Sequence, residues 1–285
     1  MLTADRAVSE LLVRNPDVDK VTFTGSSLAG KRIASICGER IARCTLELGG
    51  KSAALVLDDA DLDQVADVMT ANTSLMTGQV CAALTRVVVS RSRHDALVDA
   101  LADRFKLIAI GDPLQQGTQM GPLAMERQRD RVEDYIKAGT AQGAELITGG
   151  GRPASQERGY FVEPTLFASV DNRSTIAQEE IFGPVLSVIS ADDEEQTIAI
   201  ANDSDFGLSG SVFTNDPDRA YRVARQVRTG TIGQNGASLE FFSMAFGGFK
   251  QSGIGREGGV EGLLPFLEAK SIVLNAPPSH LATKS

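Results

Sequence analysis

The sequence predicts an α/β fold built on a mainly parallel sheet. Three observations carry the prediction. Short β-branched or apolar runs alternate with stretches of helical period along most of the chain. Glycine turns and acidic or hydroxyl caps punctuate the alternation at the helix starts. The composition, 285 residues with 42% hydrophobic and 23% charged, is that of a globular protein with room for about two domains.

The elements follow in order. Residues 18–23 read as a strand. After the turn Thr24-Gly-Ser-Ser27 a helix fits 28–40, with Leu28, Ile33 and Ile36 among its apolar positions. Residues 45–48 form a short strand ended by Gly49 and Gly50, and 53–57 is a wholly apolar strand. Asp58 to Asp61 cap a helix with Leu62, Val65 and Met69 on one face. Residues 86–90 are β-branched, and 96–107 return to helical period through Leu97, Leu101 and Phe105. A charged helix over 126–141 turns Val132, Tyr135 and Ile136 inward. Then come a strand at 185–190, a helix at 193–201 and a strand at 210–214. A helix from 215 to about 227 has Pro217 in its first turn and Gly230 beyond its end. The stretch from Gly149 to Arg158 reads as a surface loop, 271–274 as a late strand, and the last ten residues as frayed. There is no internal repeat.

Composition excludes several functions. Lys and Arg number 28 against 37 Asp and Glu, a net charge of -9, which argues against a binder of nucleic-acid backbone. No apolar run approaches the roughly 18 residues of a membrane span. Asp5, Arg6 and Glu10 interrupt the stretch where a signal peptide needs continuous apolar residues. Three cysteines make no disulfide scaffold, so a reducing, cytoplasmic setting is expected. Of two histidines, His94 reads as part of a solvated helix start and His280 lies in a Pro-rich tail. A His-based triad or metal site is therefore not expected, and no metal is implied. The chemistry must rest on carboxylates, cysteine, lysine or backbone donors.

Three places are locally odd. In Phe23-Thr-Gly-Ser-Ser-Leu-Ala-Gly30 a strand runs through a glycine turn into a helix start that suits a phosphate, unless the glycines serve only the turn. Glu47 lies between apolar residues at a strand end. Burial would raise its pKa toward that of a general base, while an alternating strand would leave it a solvated carboxylate. Cys81 sits among small residues after Gly78 and is either an accessible nucleophile or a packed structural thiol. Cys37 and Cys44 read as packing residues.

Together these segments resemble the aldehyde dehydrogenase superfamily. The family's Phe-Thr-Gly-Ser turn stands at 23–26, its Leu-Glu-Leu-Gly-Gly-Lys motif at 46–51, and its Gly-Gln-x-Cys motif at 78–81. Glu47 and Cys81 are 34 residues apart, as in that family. Gly111-Asp-Pro113, Gly121-Pro122, Gly159-Tyr-Phe-Val-Glu-Pro-Thr165, Glu179-Glu-Ile-Phe-Gly-Pro-Val185 and Phe246-Gly-Gly-Phe-Lys-Gln-Ser-Gly253 follow in the family's order. The resemblance covers about residues 14–275. It implies oxidation of an aldehyde to a carboxylic acid with NAD or NADP, through a thiohemiacetal and a thioester on Cys81. Glu47 would activate the hydrolytic water, and the backbone N–H of Cys81 would supply an oxyanion donor. Gly25, Ser26, Leu48, Glu180 and Phe182 would bind the cofactor, and Phe246 would line the aldehyde path. The implied organisation is a cofactor-domain remnant over 1–48, a catalytic domain over 49–250, a return to the Rossmann-like cofactor domain over 251–269, and an oligomerisation strand and tail over 270–285. Partners would be a small aldehyde and a second subunit, the same chain or a full-length one, with no nucleic acid and no membrane.

The sequence also departs from the family. Relatives are longer at the front. Their Pro-Trp-Asn motif, source of a second oxyanion donor, and a Lys-Pro-Ser-Glu segment at the adenine ribose have no counterpart here. Loss of one such donor typically costs about 100- to 1000-fold in turnover. A truncated relative acting as a partner subunit, or one keeping only thiol esterase-like activity, is therefore the alternative. Ala245, Gly233-Gln-Asn235 and Met76 stand where the family commonly has Pro, Val-Asn and Asn, changes that bear on substrate preference.

Overall fold

The computed structural model describes residues 3–236, 243–276 and 278. In chain order the elements are α1 Arg6–Arg14, β1 Lys20–Thr24, α2 Ser27–Glu39, β2 Arg43–Glu47, β3 Ser52–Val56, α3 Leu62–Ser74, β4 Leu84–Ser90 and α4 His94–Phe105. There follow α5 Glu126–Ala141, β5 Glu145–Thr148, β6 Thr165–Ala168, α6 Thr175–Gln178, β7 Val185–Ala191, α7 Glu194–Asn202, β8 Phe206–Gly207 and β9 Ser209–Phe213. The last are α8 Pro217–Ala224, β10 Thr231–Gln234, β11 Phe249–Lys250, β12 Gly253–Ile254 and α9 Gly259–Leu263.

The main sheet has seven strands in the order β10-β9-β3-β4-β7-β6-β5. All its pairs are parallel except β5 with β6. Near its centre is β3, five residues all buried, beside the central strand β4, whose Val87, Val88 and Val89 are buried as well. Strand alternation sorts this run onto two faces. Ala54 and Val56 join the core under α3 and α4, while Ala53 and Leu55 join that under α7 and α8. A third cluster packs α5 and α6 on Phe167, Val185 and Ile189. Burial on both faces is what a parallel sheet covered by helices requires.

A smaller sheet, β1-β2-β12, stands beside it. β1 and β2 run parallel, and β12 returns antiparallel, setting Gly253 opposite Glu47. Arg43 donates to the carbonyls of Pro265 and Leu267 at 3.0 and 3.1 Å, so the 264–268 stretch is tied to β2 as well. Helix starts are capped as their sequences predict. The carboxylates of Asp61, Asp193 and Asp216 and the hydroxyl of Ser26 each accept a first-turn N–H.

Several expectations need correction. Residues 271–274 form no strand, and Ile272, Val273 and Leu274 stay exposed, because no described segment offers them a ladder. His94 does start α4, but its ring is buried rather than solvated. Ser169 N donates to its Nε2 at 3.3 Å, and its Nδ1 lies 2.8 Å from the Asp95 carboxylate. With Nε2 accepting, Nδ1 is the donor to Asp95. Helix α8 stops at Ala224, short of 227. Cys37 is buried and Cys44 half-buried, where burial and the neighbouring Cys37 thiol push the Cys44 thiol up. His280 lies outside the described residues. No described helix is long and apolar enough to cross a membrane.

Candidate active site

Glu47 ends β2 and is held on both sides. Gly25 N donates to its carbonyl at 3.0 Å, and the next residue, Leu48, donates to Ser252 O at 2.9 Å. Its side chain is only 3% exposed, and neither carboxylate oxygen has a hydrogen-bond partner among the described residues. Gly247 packs so close that a Cβ there would lie 2.8 Å from Oε1. Burial raises the carboxyl to about 8, Glu257 adds to the rise, and Arg256 opposes it. At neutral pH the group is mostly a neutral acid.

Cys81 lies between the tight turn Leu75–Gly78 and β4. It is half-buried and packs with Ala82, Leu208 and Phe246. Burial pushes the thiol up, and the Glu180 and Glu47 carboxylates add to this. The backbone N–H groups of Ala82 and Cys81 pull the other way. These two donors are the local stabilisers of negative charge at the sulfur.

Two glycines join the parts. Gly50 N donates to Glu180 Oε1 at 3.1 Å. A Cβ on Gly49 would lie 2.4 Å from Glu180 Oε2, and one on Gly50 would lie 2.5 Å from the Cys81 carbonyl. Only residues without a side chain let the 180 loop and the cysteine loop both reach the end of β2. Burial raises the Glu180 pKa against the pull of Gly50 N–H, Arg131 and Lys51.

The fold therefore brings Glu47, Cys81, Glu180 and Phe246 together. Phe246, 4% exposed, exchanges two 2.7 Å backbone bonds with Glu257. Phe182 is partly exposed near Glu180, with φ 60 and its carbonyl held by Gln128 Nε2 at 2.8 Å. Gly25 and Ser26 lie exposed at the start of α2, linked to the centre by the Gly25–Glu47 bond. Leu48 turns its side chain under α2, where a Cβ on Gly30 would meet it at 2.5 Å. Among the described residues no group of three His, Cys, Asp or Glu is placed to hold a metal ion.

Sequence reasoning missed two buried cations. Lys51 is 2% exposed with no partner for Nζ among the described residues, and burial beside Arg86 lowers it to about 7. Arg86 is equally buried but satisfied. It donates to Lys51 O at 3.1 Å, Asn172 Oδ1 at 2.9 Å, Ile200 O at 3.1 Å and Ala201 O at 3.0 Å. An arginine opening a β-branched run was the available signal.

A family model described as "Aldehyde dehydrogenase family" matches residues 1–272. The chain belongs to the aldehyde dehydrogenase family. It is 48% identical over 270 residues to geranial dehydrogenase from Castellaniella defragrans, covering 95% of this chain and 56% of that protein. It is 45% identical over 273 residues to betaine aldehyde dehydrogenase from Sinorhizobium fredii, again 95% and 56%. Among solved structures, an aldehyde dehydrogenase of Mycobacterium tuberculosis complexed with NAD+ is 49% identical with a TM-score of 0.87, over 89% of this chain and 52% of that one. Betaine aldehyde dehydrogenase from Staphylococcus aureus in complex with NAD+ is 37% identical with a TM-score of 0.92, over 97% and 56%. The chain spans about half the length of the relatives it matches.

Proposed function

We propose that this chain carries the catalytic half of an NAD(P)+-dependent aldehyde dehydrogenase that releases a free carboxylic acid. The observation that supports the reading most is a half-buried Cys81 thiol that feels the charge of a buried Glu47 carboxyl, whose oxygens have no hydrogen-bond partner among the described residues. The cofactor fits the residues present at two places. Gly25 and Ser26 sit exposed at the start of the 13-residue helix α2, where free donors and dipole suit a diphosphate. Glu180 and Phe182, beside Cys81, would hold the nicotinamide ribose and ring. Leu48 supports α2 from beneath.

In this reading the Cys81 thiolate adds to the aldehyde carbon, and the N–H of Cys81 stabilises the oxyanion. A bound NAD+ or NADP+ supplies the acceptor for the hydride that leaves that carbon. The acyl group stays on Cys81 as a thioester. Glu47, once ionised, takes a proton from water, which attacks the thioester carbon and returns the Cys81 sulfur as leaving group. Phe246 lines the path of the aldehyde. Residues 1–48 and 251–269 are the cofactor side, 49–250 the catalytic side, and 270–285 the oligomerising end, in a cytoplasmic enzyme. A second reading, a partner subunit for a longer chain or a thiol esterase-like remnant, is favoured by the exposed Ile272, Val273 and Leu274.

The test is calorimetric titration of the purified chain with NAD+ and NADP+, with aldehyde-dependent reduced cofactor read in the same sample. Binding with turnover that Cys81→Ala abolishes supports the first reading. Turnover retained in Cys81→Ala removes Cys81 from the mechanism. No binding by a folded chain supports the second reading.

A further inference from the structure

The backbone just before Cys81 is unusual. Met76 (φ 49, ψ 28) and Thr77 (φ 58, ψ 38) are both left-handed, and Gly78 follows at φ 70. Residues with side chains avoid that region, a β-branched threonine above all, and such turns persist only where neighbours hold them. The neighbours are identifiable. Thr77, 3% exposed, donates its hydroxyl to Gly121 O at 3.0 Å. Gln79 donates to Met76 O through its backbone at 3.1 Å and its side chain at 3.0 Å, and accepts from Ala124 N at 3.0 Å. Gly78 is pressed on the 183–184 backbone, so that a Cβ there would lie 2.3 Å from Gly183 O.

The far side of that contact is also built. Phe182, at φ 60, is left-handed too. Gln128 on α5 donates to the carbonyls of Ile181 and Phe182 at 3.0 and 2.8 Å. A Cβ on Gly183 would lie 2.4 Å from Val132, also on α5. The turn before Cys81 and the turn after Glu180 thus lock into each other. Two side-chain bonds tether the cysteine turn to 121–124, and Thr77 makes the buried one.

We propose that Thr77 is a positioning residue for Cys81: its hydroxyl bond to Gly121 O keeps the left-handed turn seated on Gly183, and this seating sets how far the Cys81 sulfur is withdrawn from water. The inference rests on Cys81 being the nucleophile for its functional weight, but not for its test. Without the hydroxyl, the turn relaxes away from its uncommon dihedrals, leaves Gly183, and brings the sulfur into solvent. Burial is the leading cause of the raised Cys81 pKa, so a solvated sulfur ionises more readily.

The experiment follows alkylation of Cys81 by iodoacetamide in the full chain as a function of pH, read at that residue by mass spectrometry because Cys37 and Cys44 are also present. Thr77→Val keeps the branched shape and loses the hydroxyl. Its profile should move to lower pH, with the rate near neutrality rising about three- to tenfold. Thr77→Ser keeps the hydroxyl and should follow the parent. A Thr77→Val profile that overlays the parent, or a Thr77→Ser profile that shifts as far, overturns the proposal. Should Thr77→Val fail to fold, Thr77→Ala carries the same prediction. If neither folds, Thr77 is a structural residue and the positioning role is wrong. Aldehyde turnover in Cys81→Ala is scored separately, so failure of the nucleophile assignment does not mimic failure of the turn.

Discussion

Glu47 should make the folded chain lose stability as pH rises, and Glu47→Gln should remove that loss. The carboxyl titrates at about 8 when folded, against 4.5 for an unperturbed glutamate. Between those values the folded protein keeps a proton that the unfolded chain has released. Stability therefore falls across this window, by up to about 1.4 kcal/mol per pH unit. The whole window would cost about 5 kcal/mol, and relaxation with water entry reduces this to about 2–4 kcal/mol. Glutamine keeps the size and carries no charge, so the variant escapes the penalty. The assay is urea denaturation of parent and variant from pH 4.5 to above 8. Near the lower end the two should differ by a constant set only by the amide. The variant should then gain steadily and level off past pH 8. A difference that stays flat through the window would mean that Glu47 is ionised in the folded chain, and the burial argument would be wrong.

Lys51 predicts the opposite slope. Its ammonium titrates at about 7 when folded against 10.5 normally, so the unfolded chain binds the extra proton between those values. Stability contributed here rises with pH across that range, and Lys51→Met should be most stabilising, by about 2–4 kcal/mol, at pH 7 and below; urea midpoints over the same range check it. Arg86→Met leaves the buried carbonyls of Lys51 and Ala201 and Asn172 Oδ1 without this donor, while Ile200 O keeps its bond from Asp203 N. It should lower unfolding free energy by about 3–5 kcal/mol, seen as a shifted urea midpoint, and a loss under 1 kcal/mol would contradict the accounting.

Where one rule dominated, the fold was legible. The apolar run around β3 and the charged helix α5 announced themselves, α5 to the residue, because burial on both faces or on one stripe leaves a clean pattern. α1 did not, since it buries no residue of its own. β5, β6 and β10 were too short, at four residues each, to show a period. His94 misled because its neighbours are charged while its own ring serves a backbone donor on another element. Glu47 and Cys81 stood out by motif, and the fold sets them around Gly49 and Gly50. Lys51, Arg86 and the left-handed Thr77 are consequences of tertiary packing, which spacing along the chain does not encode.

The pairing of β12 with β2 also bears on how the molecule comes to exist. Gly253 meets Glu47 across more than two hundred intervening residues. Closing so long a loop is entropically slow, and the contact forms only after the segments between have organised. During synthesis the ribosome must deliver the segment around Gly253 before Glu47 acquires the neighbours that bury it. A nascent or C-terminally clipped chain would hold the thiol of Cys81 but an ordinary, ionised glutamate at 47. Assembly of the two groups is thereby timed to the arrival of β12.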